Sequence, residues 1–168
     1  CTYTLVEPLG GACLREALIN GKPTKLDTVN TFADGAAVGK IGEKTFSRLR
    51  NIGLANVITI PEDRICISML NMLNIEGIVL EPAGALAVDA LQDLGQAIKG
   101  RRVVCVTSGG NFDFERLPEV KERAQRYAGL KKYLILRMPQ RPGALKEVLN
   151  LFGPDDAITR VEYRKKSA

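Results

Sequence analysis

A run of four apolar residues, Val103-Val104-Cys105-Val106, passes through Thr107 straight into Ser108-Gly109-Gly110-Asn111. A buried strand that ends this way delivers a hydroxyl to its carboxyl edge, where open α/β sheets hold their ligands. Two glycines at that edge let backbone come close to a flat or anionic group. Upstream, Glu81-Pro82-Ala83-Gly84-Ala85-Leu86 opens a helix that is apolar nearly all round, so it is expected to be buried on most faces.

The rest of the chain alternates in the same way. Residues 5–6 read as a strand that stops at Glu7-Pro8, and residues 12–19 as a helix with Leu14, Ala17 and Leu18 on one face. A helix over 43–50 precedes a β-branched strand over 57–60. Pro61-Glu62-Asp63 then starts a helix, with proline in the first turn and acids at the positive end of the dipole. Strands over 77–80 and 102–107 flank a helix over 83–98, and a polar helix fills 115–127. Short links between alternating elements predict an α/β fold with a parallel, doubly wound sheet. After Ala128-Gly129 the composition shifts. A strand over 132–138, a turn at Pro139-Gln140-Arg141-Pro142-Gly143, a helix over 144–152 and a strand over 158–164 make one further βαβ unit.

Composition excludes several classes. A chain of 168 residues suits one domain and part of another. Nothing approaches the roughly 20 apolar residues of a membrane span, and no secretory signal is visible. The absence of histidine removes every mechanism with a histidine base. Cys1, Cys13, Cys66 and Cys105 form no CxxC pair and read as reduced thiols of a cytoplasmic protein, or of an organelle stroma. Residues 1–98 carry 8 basic and 11 acidic side chains, and residues 99–168 carry 16 and 8. The positive charge is spread over a helix and strands with few aromatics between, which reads as a solvated face and not as a nucleic-acid surface.

Four runs stand in one order: Val6-Glu7-Pro8, Phe32-Ala33-Asp34-Gly35-Ala36-Ala37-Val38, Glu81-Pro82-Ala83-Gly84-Ala85-Leu86 and Ser108-Gly109-Gly110-Asn111. In that order they resemble the biosynthetic threonine deaminases (threonine ammonia-lyases), enzymes of fold type II that use pyridoxal 5'-phosphate (PLP). Residues 130–145 and 158–163 resemble the family's ACT-like regulatory domain, in the form with one such domain. The resemblance implies a catalytic portion over 1–128, with the tryptophan-synthase β-like large-domain sheet, and the first half of an ACT-like module over 129–168. It places the family's PLP lysine and phosphate loop in a region N-terminal to the position of Cys1. This segment alone is therefore expected to carry no catalytic residue and to be inactive.

The implied reaction is β-elimination of L-threonine to 2-oxobutanoate and ammonia, as in isoleucine biosynthesis. By resemblance, Ser108 is the partner of the cofactor's pyridine nitrogen. A neutral hydroxyl does not hold that nitrogen protonated as a carboxylate would, so the ring is a weaker electron sink and prompt elimination is favoured. Glu81 is expected beside the ring; its other reading is a carboxylate at a helix start. Gly109, Gly110 and Gly35 are expected to admit the cofactor closely, and Asn111 to bond a phosphate or its own loop. Glu7 matches a cation-binding position of related serine racemases, but the acid expected six residues on is Cys13 here. Arg141, Gly143, Ala144 and Leu145 match the effector turn of ACT-like modules, where isoleucine inhibits and valine opposes it. A homo-oligomer, dimer or tetramer, is implied, without nucleic acid or membrane. Two other readings stay open: an amino-acid-binding module without catalysis, and a serine dehydratase or racemase relative.

Overall fold

The computed structural model describes residues 1–164 and divides the chain into a first unit, Cys1–Lys132, and a second that starts at Tyr133. Strand β1 (Leu5–Pro8) and strand β2 (Val57–Ile60) lie parallel, with Leu5 opposite Val57 and Pro8 opposite Ile60. Parallel strands need a long crossover. Here it contains α1 (Cys13–Asn20) and α2 (Glu43–Leu49). Cys13, Leu14, Ala17, Ile41, Phe46 and Val57 close a small core between the crossover and the sheet.

Helix α3 (Glu62–Glu76) follows β2 directly and ends at Gly77, whose φ of 68° favours a residue without Cβ. Helices α4 (Pro82–Asp89) and α5 (Leu91–Leu94) continue the chain. Helix α6 (Leu117–Tyr127) packs along α3. The main core forms where α3, α4 and α6 meet under the sheet: Ile60, Ile65, Cys66, Met69, Leu86 and Val120, among others. Ile60, Ile65 and Val120 are fully buried, each contributing about 1.5–3 kcal/mol of transfer free energy.

A charged network ties α4 to α3. Asp89, with no exposed surface, accepts from Arg64 Nε at 2.7 Å and from Ser68 Oγ at 2.8 Å. Arg64 also bonds both oxygens of Asp93. Asp93 is held below the ordinary carboxylate range by its bonds to the Arg64 guanidinium.

The α/β class with a parallel sheet stands, but the sheet is smaller than the apolar runs suggest. Among the described residues only β1 and β2 pair. The runs over 77–80, 102–107, 132–138 and 158–164 form no ladder. Val104 and Val106 are 89% and 73% exposed, and Ile135 is 98% exposed. A β-branched run is only half of a strand; the other half is a neighbour to bond with. The helix expected over 83–98 breaks into α4, α5 and a 3₁₀ turn at Gly95–Ile98. In the second unit α7 (Ala144–Leu149) is shorter than the expected 144–152. No helix among the described residues is long and apolar enough to cross a membrane.

Candidate functional site

The site begins with the way α4 starts. Pro82 occupies its first turn, and Glu81 stands just outside in extended backbone, with φ −74° and ψ 164°. The Glu81 side chain does not cap its own helix, so the carboxylate is available elsewhere. It turns toward Gly35 and Gly109. A Cβ built on Gly109 would overlap the Glu81 carboxylate, and one on Gly35 would fall 3.3 Å from Glu81 Oε1 and 3.1 Å from Ala83 Cβ. Gly109 answers with its backbone: its carbonyl accepts from Glu81 N–H at 3.1 Å. Gly35 and Gly109, 74 positions apart in sequence, thus both lie against Glu81; a Cβ would overlap it at Gly109 and crowd it at Gly35.

Gly84 completes the lock and was not singled out by the sequence. A Cβ on Gly84 would overlap the Gly109 carbonyl oxygen and lie 2.9 Å from the Gly109 nitrogen. The first turn of α4 therefore rests on bare backbone of the Ser108–Asn111 loop. The signal was present: glycine inside a helix costs about 0.5–1 kcal/mol relative to alanine, so a buried one implies close backbone approach.

Ser108 is exposed immediately before this contact, and so are Gly110 and Asn111. The hydroxyl has not turned into the apolar interior. Gly35, Glu81, Ser108, Gly109, Gly110 and Asn111 therefore share one open edge of the first unit. An open cleft of about 510 Å³ lies elsewhere, lined by Leu9, Arg15, Thr28 and Asn30 among others. None of the expected cofactor residues lines it. An edge with exposed polar groups above bare glycine backbone fits a flat ring with an anionic tail.

The Gly35 turn is itself held in place. Gly35 N–H donates to Asp34 Oδ1 at 3.0 Å, and Ala36 N–H to the Ala33 carbonyl at 2.9 Å. Asp34 is thus a turn former. Phe32, buried at the start of the turn, lies under two guanidiniums: the central carbons of Arg123 and Arg116 sit 4.4 and 5.1 Å from its ring centroid.

Glu7 is occupied near the carboxyl end of β1. Its two oxygens accept from Leu14 N–H at 2.7 Å and Arg15 N–H at 2.9 Å, at the start of α1. Burial, and then the Glu7 charge, push the Cys13 thiol up, so it stays protonated and offers a hard cation little. Among the described residues no three His, Cys, Asp or Glu side chains converge as metal ligands.

In the second unit Gly143, at φ 87°, caps α7, and Ala144 behind it is buried. Arg141 and Leu145 are exposed. Arg141 Nη2 donates to Glu147 Oε2 at 2.7 Å. The four expected effector residues are adjacent on one turn.

Parallel α/β layering with a glycine-lined polar edge defines the class, an α/β fold whose exposed edge leaves backbone open to close approach. A family model described as pyridoxal-phosphate dependent enzyme matches residues 1–109, and one described as the C-terminal regulatory domain of threonine dehydratase matches residues 122–168. The chain belongs to the pyridoxal-phosphate-dependent enzyme family. It is 48% identical over 162 residues to an L-threonine dehydratase biosynthetic IlvA of Halalkalibacterium halodurans, covering 96% of this chain and 39% of that protein. The chain thus spans about two fifths of the curated relative's length. Among solved structures, the processed threonine deaminase isoform 2 of Solanum lycopersicum superposes with a TM-score of 0.64 at 32% identity, over 71% of this chain and 35% of that one. A serine racemase from Dictyostelium discoideum superposes with a TM-score of 0.55 at 29% identity, over 66% and 36%.

Proposed function

We propose that this chain belongs to a threonine ammonia-lyase that eliminates water from L-threonine with PLP and releases 2-oxobutanoate and ammonia. The observation that carries this is the meeting of Glu81, Gly35 and Gly109 beside the exposed Ser108. The threonine dehydratase relatives and the regulatory-domain match favour threonine over the serine-directed alternatives. When bound, PLP supplies the electron sink for loss of the Cα proton and the β-hydroxyl.

The residues divide the work. Ser108 would hold the ring nitrogen through a neutral hydroxyl, which does not stabilise a cationic ring as a carboxylate would. Glu81 lines the ring edge. Gly35, Gly109 and Gly110 would let backbone approach the ring, and Asn111 would hold the phosphate or brace the loop. The catalytic portion runs through 128, and the ACT-like portion begins at 129. There Arg141, Gly143, Ala144 and Leu145 receive an amino-acid effector, isoleucine or valine, with Gly143 leaving backbone open to its carboxylate. The protein is a cytoplasmic homo-oligomer in this reading.

Ser108→Ala in the full-length protein tests the ring assignment. We expect a shifted cofactor absorbance band and a threonine turnover reduced by about 10²-fold, a loss typical of a group that tunes the reacting centre. An unchanged band with unchanged turnover sinks it. Isoleucine titrated calorimetrically tests the effector site: heat that disappears in Arg141→Ala supports it, and no heat with no thermal shift removes it.

A further inference from the structure

We propose that Arg116 and Arg123 are positioning residues for the cofactor edge, acting through Phe32 to seat the Gly35 turn against Glu81. This rests on the reading of that edge as the PLP site and adds two residues far from it in sequence.

The grip on Phe32 comes from several directions. Arg123 lies over the ring at 4.4 Å, donates through Nη1 to Asp63 Oδ1 at 2.9 Å in the first turn of α3, and through Nε to Glu119 Oε1 at 2.8 Å. Arg116 lies over the same ring at 5.1 Å and donates through Nη2 to the Phe32 carbonyl at 3.3 Å, while its Nε reaches Glu119 Oε2 at 3.5 Å. One carboxylate, Glu119, therefore holds both guanidiniums. The Phe32 N–H donates to Asn30 Oδ1 at 3.0 Å. Ring, carbonyl and amide of one residue are each fixed. Burial pulls the Arg123 guanidinium down, but its bonds to Asp63 and Glu119 more than offset this and hold it above its ordinary value; the clamp keeps its charge at every working pH.

Phe32 is three residues before Gly35. The intervening turn is short and internally bonded, with Ala36 and Ala37 amides bound to the Ala33 and Asp34 carbonyls. A shift at Phe32 therefore moves Gly35 as one piece with it. Gly35 has a Cβ position only 3.1 Å from Ala83 and 3.3 Å from Glu81, so a displacement of several tenths of an ångström changes where the Glu81 carboxylate sits. Stacking needs the planar fork of arginine; lysine keeps the charge and loses the plane.

The test uses the full-length protein without cofactor and then with PLP added. In the apoprotein, hydrogen exchange at the Ala36, Ala37 and Val38 amides should speed about tenfold in Arg123→Met, relative to the α3 amides of Ile65–Leu70 as internal reference. General destabilisation would accelerate both sets together. Arg123→Lys should restore part of the protection. Arg116→Gln, which leaves the α6 core residues in place, should show the same local loss and covers the case in which Arg123→Met does not fold. PLP affinity should fall about tenfold in each variant. Unchanged exchange, or faster exchange with unchanged PLP affinity, overturns the positioning role. Gly109→Ala separates the two layers: if it too leaves PLP affinity intact, the site is misplaced and the role falls with it. If only the arginine variants leave it intact, the clamp alone is wrong.

Discussion

The two candidate ligand regions are built in opposite ways. The Glu81–Gly109 edge is backbone laid on backbone: α4 rests on the Ser108–Asn111 loop through two glycines, and Asp89 at the far end of α4 is fastened to α3 inside the core. The Arg141–Leu145 turn rests on one left-handed glycine, one buried alanine and an ion pair whose partners are 53% and 61% exposed. The first is organised before any ligand arrives, and the second is ready to be rearranged by one. Preorganisation lowers the cost of binding a resident cofactor. A loosely held turn allows an effector to shift a population instead.

Removing the fastening at Asp89 should be the largest way to break this contrast. Asp89→Ala leaves Arg64 and Ser68 without their buried acceptor, and unfolding by denaturant should show a loss of about 3–5 kcal/mol. Gly84→Ala comes next. It forces α4 off the loop, and about 1–3 kcal/mol of stability should go with it, together with the Glu81–Gly109 hydrogen bond. Gly143→Ala sharpens the comparison from the other side. It strains only its own backbone, for about 1–2 kcal/mol, and should leave the near-ultraviolet signal of the first unit unchanged. Glu147→Gln should be the mildest, within about 0.5 kcal/mol, because exposed ion pairs contribute little. A loss of more than about 2 kcal/mol there would mean the turn is as rigid as the edge.

Acid separates the regions as well. The Asp93 carboxyl lies below its ordinary value because Arg64 bonds its charged form. That contribution is present above the ordinary carboxylate value and is lost as pH falls from about 4 through the lowered one. Stability of the first unit, followed by circular dichroism, should drop across that window, and Asp93→Asn should flatten the drop. Thiol chemistry checks the same core. Burial pushes Cys66 up to about 12, so at pH 8 iodoacetamide should label exposed Cys1 and spare Cys66 in the folded protein.

What the sequence showed and hid follows from the kind of interaction involved. Helix starts at Glu62 and Pro82, strand β2 and the α3 stripe of Ile65, Met69 and Leu70 were legible because each is a local pattern. Glu81, Gly35 and Ser108 were singled out through resemblance; Glu81 and Gly35 lie together, beside the loop that carries Ser108. The runs at 102–107 and 132–138 read as strands on composition alone, but a ladder needs a second backbone that no local pattern contains. Gly84 was passed over as one more small residue in an apolar helix. Arg116 and Arg123 looked like the solvated face of a polar helix. Their target, Phe32, is 84 positions from Arg116, beyond the reach of any periodicity.

The course of α6 also decides where this protein can be cut. A boundary drawn after Gly109, where the family match ends, would strip Val120 and Ala124 from the main core and both guanidiniums from Phe32. The helix is closed only at Gly129 and Leu130, where the Leu130 N–H donates back to the Gln125 carbonyl at 2.8 Å. Domain grafts and truncated expression of the first unit should therefore keep the chain through Leu130, since a shorter piece would bring an opened core into solution and precipitate.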